Sequence, residues 1–222
     1  MRVPLPSGTP AELALPSGTP VRGLVLAPDV MGLRPLFDEM CARLAHEQHW
    51  AVCAPEPFPG HEDFSLEQRF GFMPQVTDDQ RLGDLVAAAD LLQERTGVAP
   101  IGVLGFCMGG MYTLKAAGTG RFDRAVAFYG MLSVPQDWHG PGHGEPLDWL
   151  SKPSPTQVLA IVGGRDAMTP PEDVAALRAL GDRVTIAFYP EAEHGFVHDP
   201  LRPAHRPDDA ADAWAKALAF LA

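Results

Sequence analysis

Short apolar runs alternate along the chain with longer stretches that are apolar on one side only. RGLVLA (22–27), WAVCAP (50–55), Ile101 to Leu104 and RAVAFYG (124–130) are four to seven residues long and bounded by Gly, Pro or Asp. Runs of that length and composition are buried strands, and similar runs open the segments 158–170 (VLAIVGGRDAMTP) and 184–196 (VTIAFYPEAEHGF). Between them the spacing predicts helices. Over 34–49, Leu36, Phe37, Met40, Leu44 and Ala45 fall on one face. Over 79–96, capped by Thr77-Asp78-Asp79 and stopped by Gly97, the face is Leu82, Leu85, Val86, Ala89 and Leu92. Further helices are expected over 111–117, over 171–180 after Pro170, and from Pro207 onward, the last burying Ala211, Trp214, Ala215, Leu218 and Leu221. LPSGTP occurs at 5–10 and again at 15–20 around AELAL. That reads as turn chemistry used twice, in a meander of two short strands leading into the strand at 22–27. The alternation gives an α/β fold class, a mostly parallel sheet of about eight strands with helices on both faces, in one domain over 1–222.

Composition narrows the possibilities. A chain of 222 residues, 46% hydrophobic, can bury one substantial core. Its 17 basic and 28 acidic side chains give a net charge of −11, which argues against nucleic acid and against anionic membrane surfaces as partners. Three cysteines without a C-x-x-C pair read as reduced thiols of a cytoplasmic protein, with Cys41 and Cys53 in packing positions. No run reaches the roughly 18 apolar residues of a membrane span, and the N-terminus lacks a basic region followed by an apolar run. Two stretches show no period. Residues 55–77, rich in Pro, Gly and aromatics, read as a long connection that walls a pocket, and 131–156 as irregular. No metal site is expected: His61-Glu62-Asp63 are consecutive and do not converge, and Pro141-Gly142 between His139 and His143 rule out a helical pair.

The chemistry centres on Gly105-Phe106-Cys107-Met108-Gly109-Gly110, a strand, a sharp glycine-flanked turn and a helix. This is a G-x-nucleophile-x-G elbow with Cys at the nucleophile position, and any Cβ at Gly105 or Gly109 is expected to collide with the neighbouring element. The turn presents Sγ to a helix N-terminus, where free N–H groups favour a thiolate. Taken alone, Cys107 reads equally well as a small buried hydrophobe. Downstream, Asp166 follows the strand of 158–170, and His194 follows that of 184–196. Singly these are a turn residue and a loop residue. Together they give the order nucleophile, acid, base, each just past the carboxyl end of a strand, where the loops of a parallel sheet gather. Cys107 would attack, His194 would carry the proton, and Asp166 would hold the imidazole.

GFCMGG, GGRDAMTP, EAEHGF and APDVMGL (27–33) resemble the dienelactone hydrolase family, cysteine-nucleophile α/β-hydrolases that open a lactone conjugated to a carboxylate; the likeness runs from about residue 11 to the C-terminus. The resemblance implies an α/β-hydrolase fold with a minimal cap, a small-molecule ester or lactone substrate, and no metal or organic cofactor. It implies that Asp29 contacts the resting thiol and that the N–H groups of Val30 and Met108 form an oxyanion hole. Asp29 stands where the family commonly has Glu, one methylene longer. Opposing the thiolate, it would slow alkylation of Cys107. The substrate carboxylate is bound in the family by an Arg four residues past the base, here His198, and by an Arg and a Tyr in the region of Arg69 and Phe70. With His198 in that place, poor discrimination between charged and neutral substrates follows unless Arg69 or Arg202 compensates, and His198→Arg would favour the charged one. A non-catalytic small-molecule binding or sensing domain, or a thioesterase or peptidase of the same superfamily, are the competing readings. A haloacid-type dehalogenase is disfavoured, because it needs a carboxylate nucleophile. The chain is expected as a monomer or small homo-oligomer.

Overall fold

A computed structural model describes all residues, 1–222. Its strands form an eight-stranded sheet in the order β1-β2-β4-β3-β5-β6-β7-β8, mostly parallel, with helices on both faces. The chain divides into two compact units, one of Met1–Val103 with Gln136–His143, the other of Leu104–Pro135 with Gly144–Ala222.

The first unit holds β1 (Arg2–Pro4), β2 (Pro10–Ala14), β3 (Arg22–Ala27), α1 (Pro35–Gln48), β4 (Trp50–Pro55), α2 (Leu66–Phe72) and α3 (Asp78–Thr96). β1 and β2 form the expected N-terminal meander, antiparallel to each other, and β2 runs antiparallel to β4, with Leu13 opposite Cys53. β3 is parallel to β4, and every residue of both is buried. The glycine of each LPSGTP copy adopts the left-handed conformation a tight turn needs, φ +86° at Gly8 and +96° at Gly18. Asp84, buried on α3, accepts hydrogen bonds from Ser7 (2.6 Å) and Thr9 (2.8 Å), which pins the first copy. The face of α3 is therefore more polar than its leucines predicted: Arg81 and Asp84 are buried, and Val86 is only partly so. Residues 55–77 are not irregular throughout. Ser65 accepts the N–H of Gln68 (3.3 Å), while the Gln68 side chain accepts the N–H of Ser65 (2.8 Å). That reciprocal capping box starts α2.

The second unit holds the end of β5 (Ile101–Phe106), then α4 (Met108–Ala116), β6 (Arg124–Phe128), α5 (Pro146–Leu150), β7 (Gln157–Gly163), α6 (Pro171–Ala179), β8 (Val184–Tyr189) and α7 (Pro207–Leu221). β6, β7 and β8 are parallel neighbours, with Val126 opposite Leu159 and Ala160 opposite Ile186. The buried stripe of α7 differs from the expected one: Ala210, Ala213, Ala217 and Leu221 are buried, whereas Ala211 and Ala215 are exposed. Small side chains let this helix lie close, and Trp214 and Leu218 flank the contact half-buried. One cation ties the starts of β7 and β8 to the ends of α4 and α5. Arg183, just ahead of β8, donates to the carbonyls of Thr156 (3.0 Å), Leu150 (2.6 Å), Lys152 (2.9 Å) and Ala117 (2.8 Å).

Candidate active site

β5 ends at Phe106, and the chain turns sharply into α4 through Cys107, whose φ of 55° and ψ of −118° lie where side-chain-bearing residues are rarely found. Such a conformation costs on the order of 1–3 kcal/mol and persists only when its surroundings hold it. Here the Cys107 N–H bonds the Phe128 carbonyl (3.1 Å), and its own carbonyl accepts the Met111 N–H (2.9 Å). The space is as tight as the sequence implied at Gly105, where a Cβ would stand 2.3 Å from the Gly109 carbonyl oxygen. Gly110 and Gly130 are equally constrained. A Cβ on Gly110 would lie 2.9 Å from the Gly130 Cα, so α4 rests directly on the end of β6. Neither was singled out in the sequence, where a glycine needed for close approach looks like any turn glycine. Cys107 itself is 8% exposed, at the N-terminus of α4, whose first N–H groups have no partner inside the helix.

Asp166 and His194, each expected just past a strand, are hydrogen-bonded to each other. Asp166 Oδ2 lies 2.8 Å from His194 Nδ1, and its Oδ1 accepts the Met168 N–H (2.8 Å). A carboxylate acceptor places a proton on Nδ1 and turns Nε2 toward chemistry. Nε2 makes no well-aligned hydrogen bond, yet the Cys107 thiol is close enough to act on the imidazole, so the two are coupled without a tight bond at rest. Burial alone would lower the His194 pKa. The bond to Asp166, the nearby Cys107 sulfur, and the Asp166 charge outweigh it and push the value from 6.5 up to about 10. The resulting stabilisation is complete below pH 6.5 and is lost as pH rises toward about 10. A His194 titration followed by NMR is expected to show the raised midpoint in the native protein and a lower one in Cys107→Ala. The stability margin of the native protein over His194→Asn should shrink across the same interval. By contrast, burial pushes the Cys53 thiol up to about 12 and the Cys41 thiol higher still, which leaves both inert.

Tyr129, not anticipated, borders His194. It follows β6 with φ +38°, is fully buried, and sets its ring edge-on to His194 with centroids 5.2 Å apart. Its hydroxyl hydrogen-bonds His198 Nδ1, and the His198 ring stacks on Phe106 at 4.8 Å.

In the first unit, the loop after β3 carries Asp29 and Val30, both buried. Arg34 grips the Asp29 carboxylate with two hydrogen bonds, 2.7 and 2.9 Å, and the Met31 N–H adds a third (2.9 Å). The negative charge at Asp29 thus has a matched partner five residues on, which no motif signalled. Glu56, buried, braces the same loop by accepting the N–H groups of Leu33 (2.8 Å) and Phe58 (2.9 Å). Arg69 is 3% exposed. It donates to the carbonyls of Phe64 (3.0 Å) and Glu62 (2.6 Å), lies 3.6 Å from Glu56, and covers the Phe58 ring. Phe70 is 41% exposed, its ring 5.8 Å from that of Trp138.

The profile of the dienelactone hydrolase family matches residues 9–222. The chain belongs to the dienelactone hydrolase family. A candidate carboxymethylenebutenolidase of Escherichia coli (strain K12) is 32% identical over 222 residues, covering 94% of this chain and 80% of that protein. Carboxymethylenebutenolidase 2 of Cupriavidus pinatubonensis is 28% identical over 205 residues, 87% of this chain and 79% of that one. The crystal structure of a candidate dienelactone hydrolase from Klebsiella pneumoniae is similar with a TM-score of 0.86 at 27% identity, covering 100% of this chain and 97% of that one. The eight-stranded α/β-hydrolase architecture is therefore the family's own. No helix is long and apolar enough to cross a membrane.

Against that family frame, His198 occupies a packed position. At 4% exposure, between Phe106 and Tyr129, it has no room for a longer side chain. His198→Arg is expected to cost about 1–3 kcal/mol of stability through overpacking, read as a lower melting temperature, in place of the gain with charged substrates that the sequence suggested. Arg202, by contrast, lays its guanidinium against Gly195, next to His194, where a Cβ would stand 2.6 Å from Nη1.

Proposed function

We propose that this family member hydrolyses a small carboxylic ester or lactone through Cys107, His194 and Asp166, by way of a thioester acyl-enzyme. The observation that carries the reading is the Asp166–His194 hydrogen bond of 2.8 Å, with the raised pKa coupling His194 to a strained, helix-capping cysteine. A binding domain has no need of that combination.

In the first half-reaction the Cys107 thiolate attacks the carbonyl carbon, and the C=O electron pair moves onto oxygen. The Met108 N–H and the N-terminal end of α4 face the developing charge. As the tetrahedral intermediate collapses, the C–O bond to the leaving alkoxide breaks, and His194 Nε2–H protonates that oxygen. With a lactone the released hydroxyl stays attached to the acyl chain. In the second half, neutral His194 takes a proton from water, and the hydroxide attacks the thioester. Cys107 leaves as the thiolate and the acid is released. Asp166 keeps Nδ1 protonated and steadies the imidazolium throughout.

The names of the relatives above support a lactone. The test is a panel of lactones, aryl acetates, thioesters and peptides, with intact-mass detection of an acyl group on Cys107. Turnover of lactones or esters with a transient acyl adduct supports the proposal; peptide cleavage alone, or no turnover of any member, overturns it. A carboxylate-bearing lactone and its methyl ester belong in the panel. His198 and Arg69 are buried in other contacts, so any preference for the charged substrate should rest on Arg202 and fall by roughly tenfold or more in Arg202→Gln.

A further inference from the structure

An open pocket of about 400 Å³ lies beside the Asp166 turn, wholly within the second unit. Met131, Val134 and Pro135 line it from the segment after β6, and Ala167, Met168 and Pro170 from the turn after β7. Its size falls in the range of roughly 300–1,000 Å³ usual for small-molecule sites. Both segments are tied to the proposed triad. The Met168 N–H bonds Asp166 Oδ1 (2.8 Å), and the other carboxylate oxygen holds His194. The Cys107 N–H bonds the carbonyl of Phe128 at the end of β6 (3.1 Å), and Tyr129, next in the chain, borders His194. Met131 then follows Gly130, where a Cβ would stand 2.8 Å from the Met111 nitrogen in the first turn of α4. The pocket and the reacting groups are thus built on the same strand ends.

None of the lining residues is basic. Glu172 and Asp173 bring carboxylates from the first turn of α6, and Ser133 donates to Asp173 (3.1 Å). A third carboxylate, Glu145, accepts the Val134 N–H (2.8 Å). Burial, joined by the charges of Glu172 and Glu145, raises the Asp173 carboxyl above its ordinary value against the lowering effect of the Ser133 bond. Hydrocarbon entering such a pocket gains by leaving water, whereas another carboxylate meets like charge. Flexible thioether side chains at Met131 and Met168 adapt to chains of different shape.

We propose that this pocket is an acyl-binding subsite, which takes an uncharged aliphatic chain of the ester or lactone and disfavours one that ends in a carboxylate. This rests on hydrolysis through Cys107 as described above. The acyl group is the part that stays bonded to Cys107 through both half-reactions, so a pocket anchored at the end of β6 can hold it throughout. The competing reading is a surface depression that substrate never enters.

The test compares kcat/KM for p-nitrophenyl acetate, butyrate and hexanoate, which share one leaving group. Mono-p-nitrophenyl adipate matches hexanoate in length but ends in a carboxylate. The native protein is expected to favour butyrate over acetate by about tenfold, at roughly fourfold for each CH₂ buried. It should favour hexanoate over the adipate by roughly fivefold or more, and Glu172→Gln combined with Asp173→Asn should narrow that ratio. Met168→Trp, at an exposed position of the lining, fills the pocket and should bring the butyrate-to-acetate ratio close to one. Ala167→Leu, also exposed, fills it independently and carries the comparison if Met168→Trp does not fold. Turnover without chain-length preference in the native protein overturns the proposal, as does a preference that survives in the filled variants. An equal loss on acetate and butyrate overturns it too, because that is damage to the Asp166 turn and not to a subsite. Equal rates for hexanoate and the adipate overturn the charge preference. Failure of the underlying hydrolase reading would look different: no turnover of acetate by the native protein, or equal turnover by Cys107→Ala.

Discussion

Cys107→Ala is expected to reduce kcat/KM for esters and lactones by about a thousandfold or more while leaving the fold intact. In the proposed mechanism the substitution leaves the oxyanion donors and His194 in place, but no covalent route remains, and losses of that size are usual when a nucleophile is deleted. Cys107 is buried, but the substitution removes a single sulfur, so the volume lost is small. Alanine at φ 55° is no easier than cysteine, so the strain of the elbow stays and no compensating gain in stability is expected. Steady-state kinetics together with circular dichroism check both halves. Cys41→Ala and Cys53→Ala, at fully buried positions, should retain activity and cost about 1–2 kcal/mol each. Equal turnover by the native protein and Cys107→Ala would remove Cys107 from the mechanism.

Gly105→Ala should be the most damaging single methyl group that can be added near the site. The new Cβ would stand 2.3 Å from the Gly109 oxygen, 2.5 Å from its carbonyl carbon and 2.6 Å from Thr113 Oγ1. Two of those three atoms are backbone, so relief requires the start of α4 to move relative to β5. We expect a loss of about 3–5 kcal/mol in stability. In the protein that still folds, activity should fall on the order of a hundredfold, because a displacement near 1 Å at the nucleophile suffices for that. Gly83→Ala is the control. Nothing lies within 4 Å of its would-be Cβ, it sits exposed inside α3, and alanine there should stabilise by about 0.5–1 kcal/mol. Denaturant melts of the two variants, shifted in opposite directions, would show that the clash and not the loss of glycine is responsible.

What could be read without the structure was whatever depends on pattern over many residues. The strands of the sheet announce themselves as apolar runs, and α1 and α3 by their period, because burying a face demands it. The partnership of Asp166 and His194 was legible because both stand directly past a strand. Helix α7 was harder. Its alanines lie on every side, so the period carries little contrast, and the buried stripe was placed one residue off, on Ala211 and Ala215 in place of Ala210, Ala213 and Ala217. The S-x-x-Q cap of α2 stood in plain view, but the prolines and aromatics around it suggested a loop. Arg34, Tyr129 and Gly110 were invisible for a different reason. Each is defined by a partner that only folding supplies: the Asp29 carboxylate, the rings of His194 and His198, the backbone of Gly130.

The position of Arg183 has a consequence for how the second unit can change over time. Its four carbonyl partners include Thr156, at the entry to β7, while Asp166 and His194 lie past the exits of β7 and β8. Parallel strands put their entries on one rim and their exits on the other. One guanidinium thus links four carbonyls on the entry side, away from Asp166 and His194. Residues of the exit loops can vary without touching it. A lineage exploring new substrates would rewrite Met131, Met168 or Arg202 long before it rewrote Arg183, and a library randomised at the exits should keep a far larger folded fraction than one randomised at the entries.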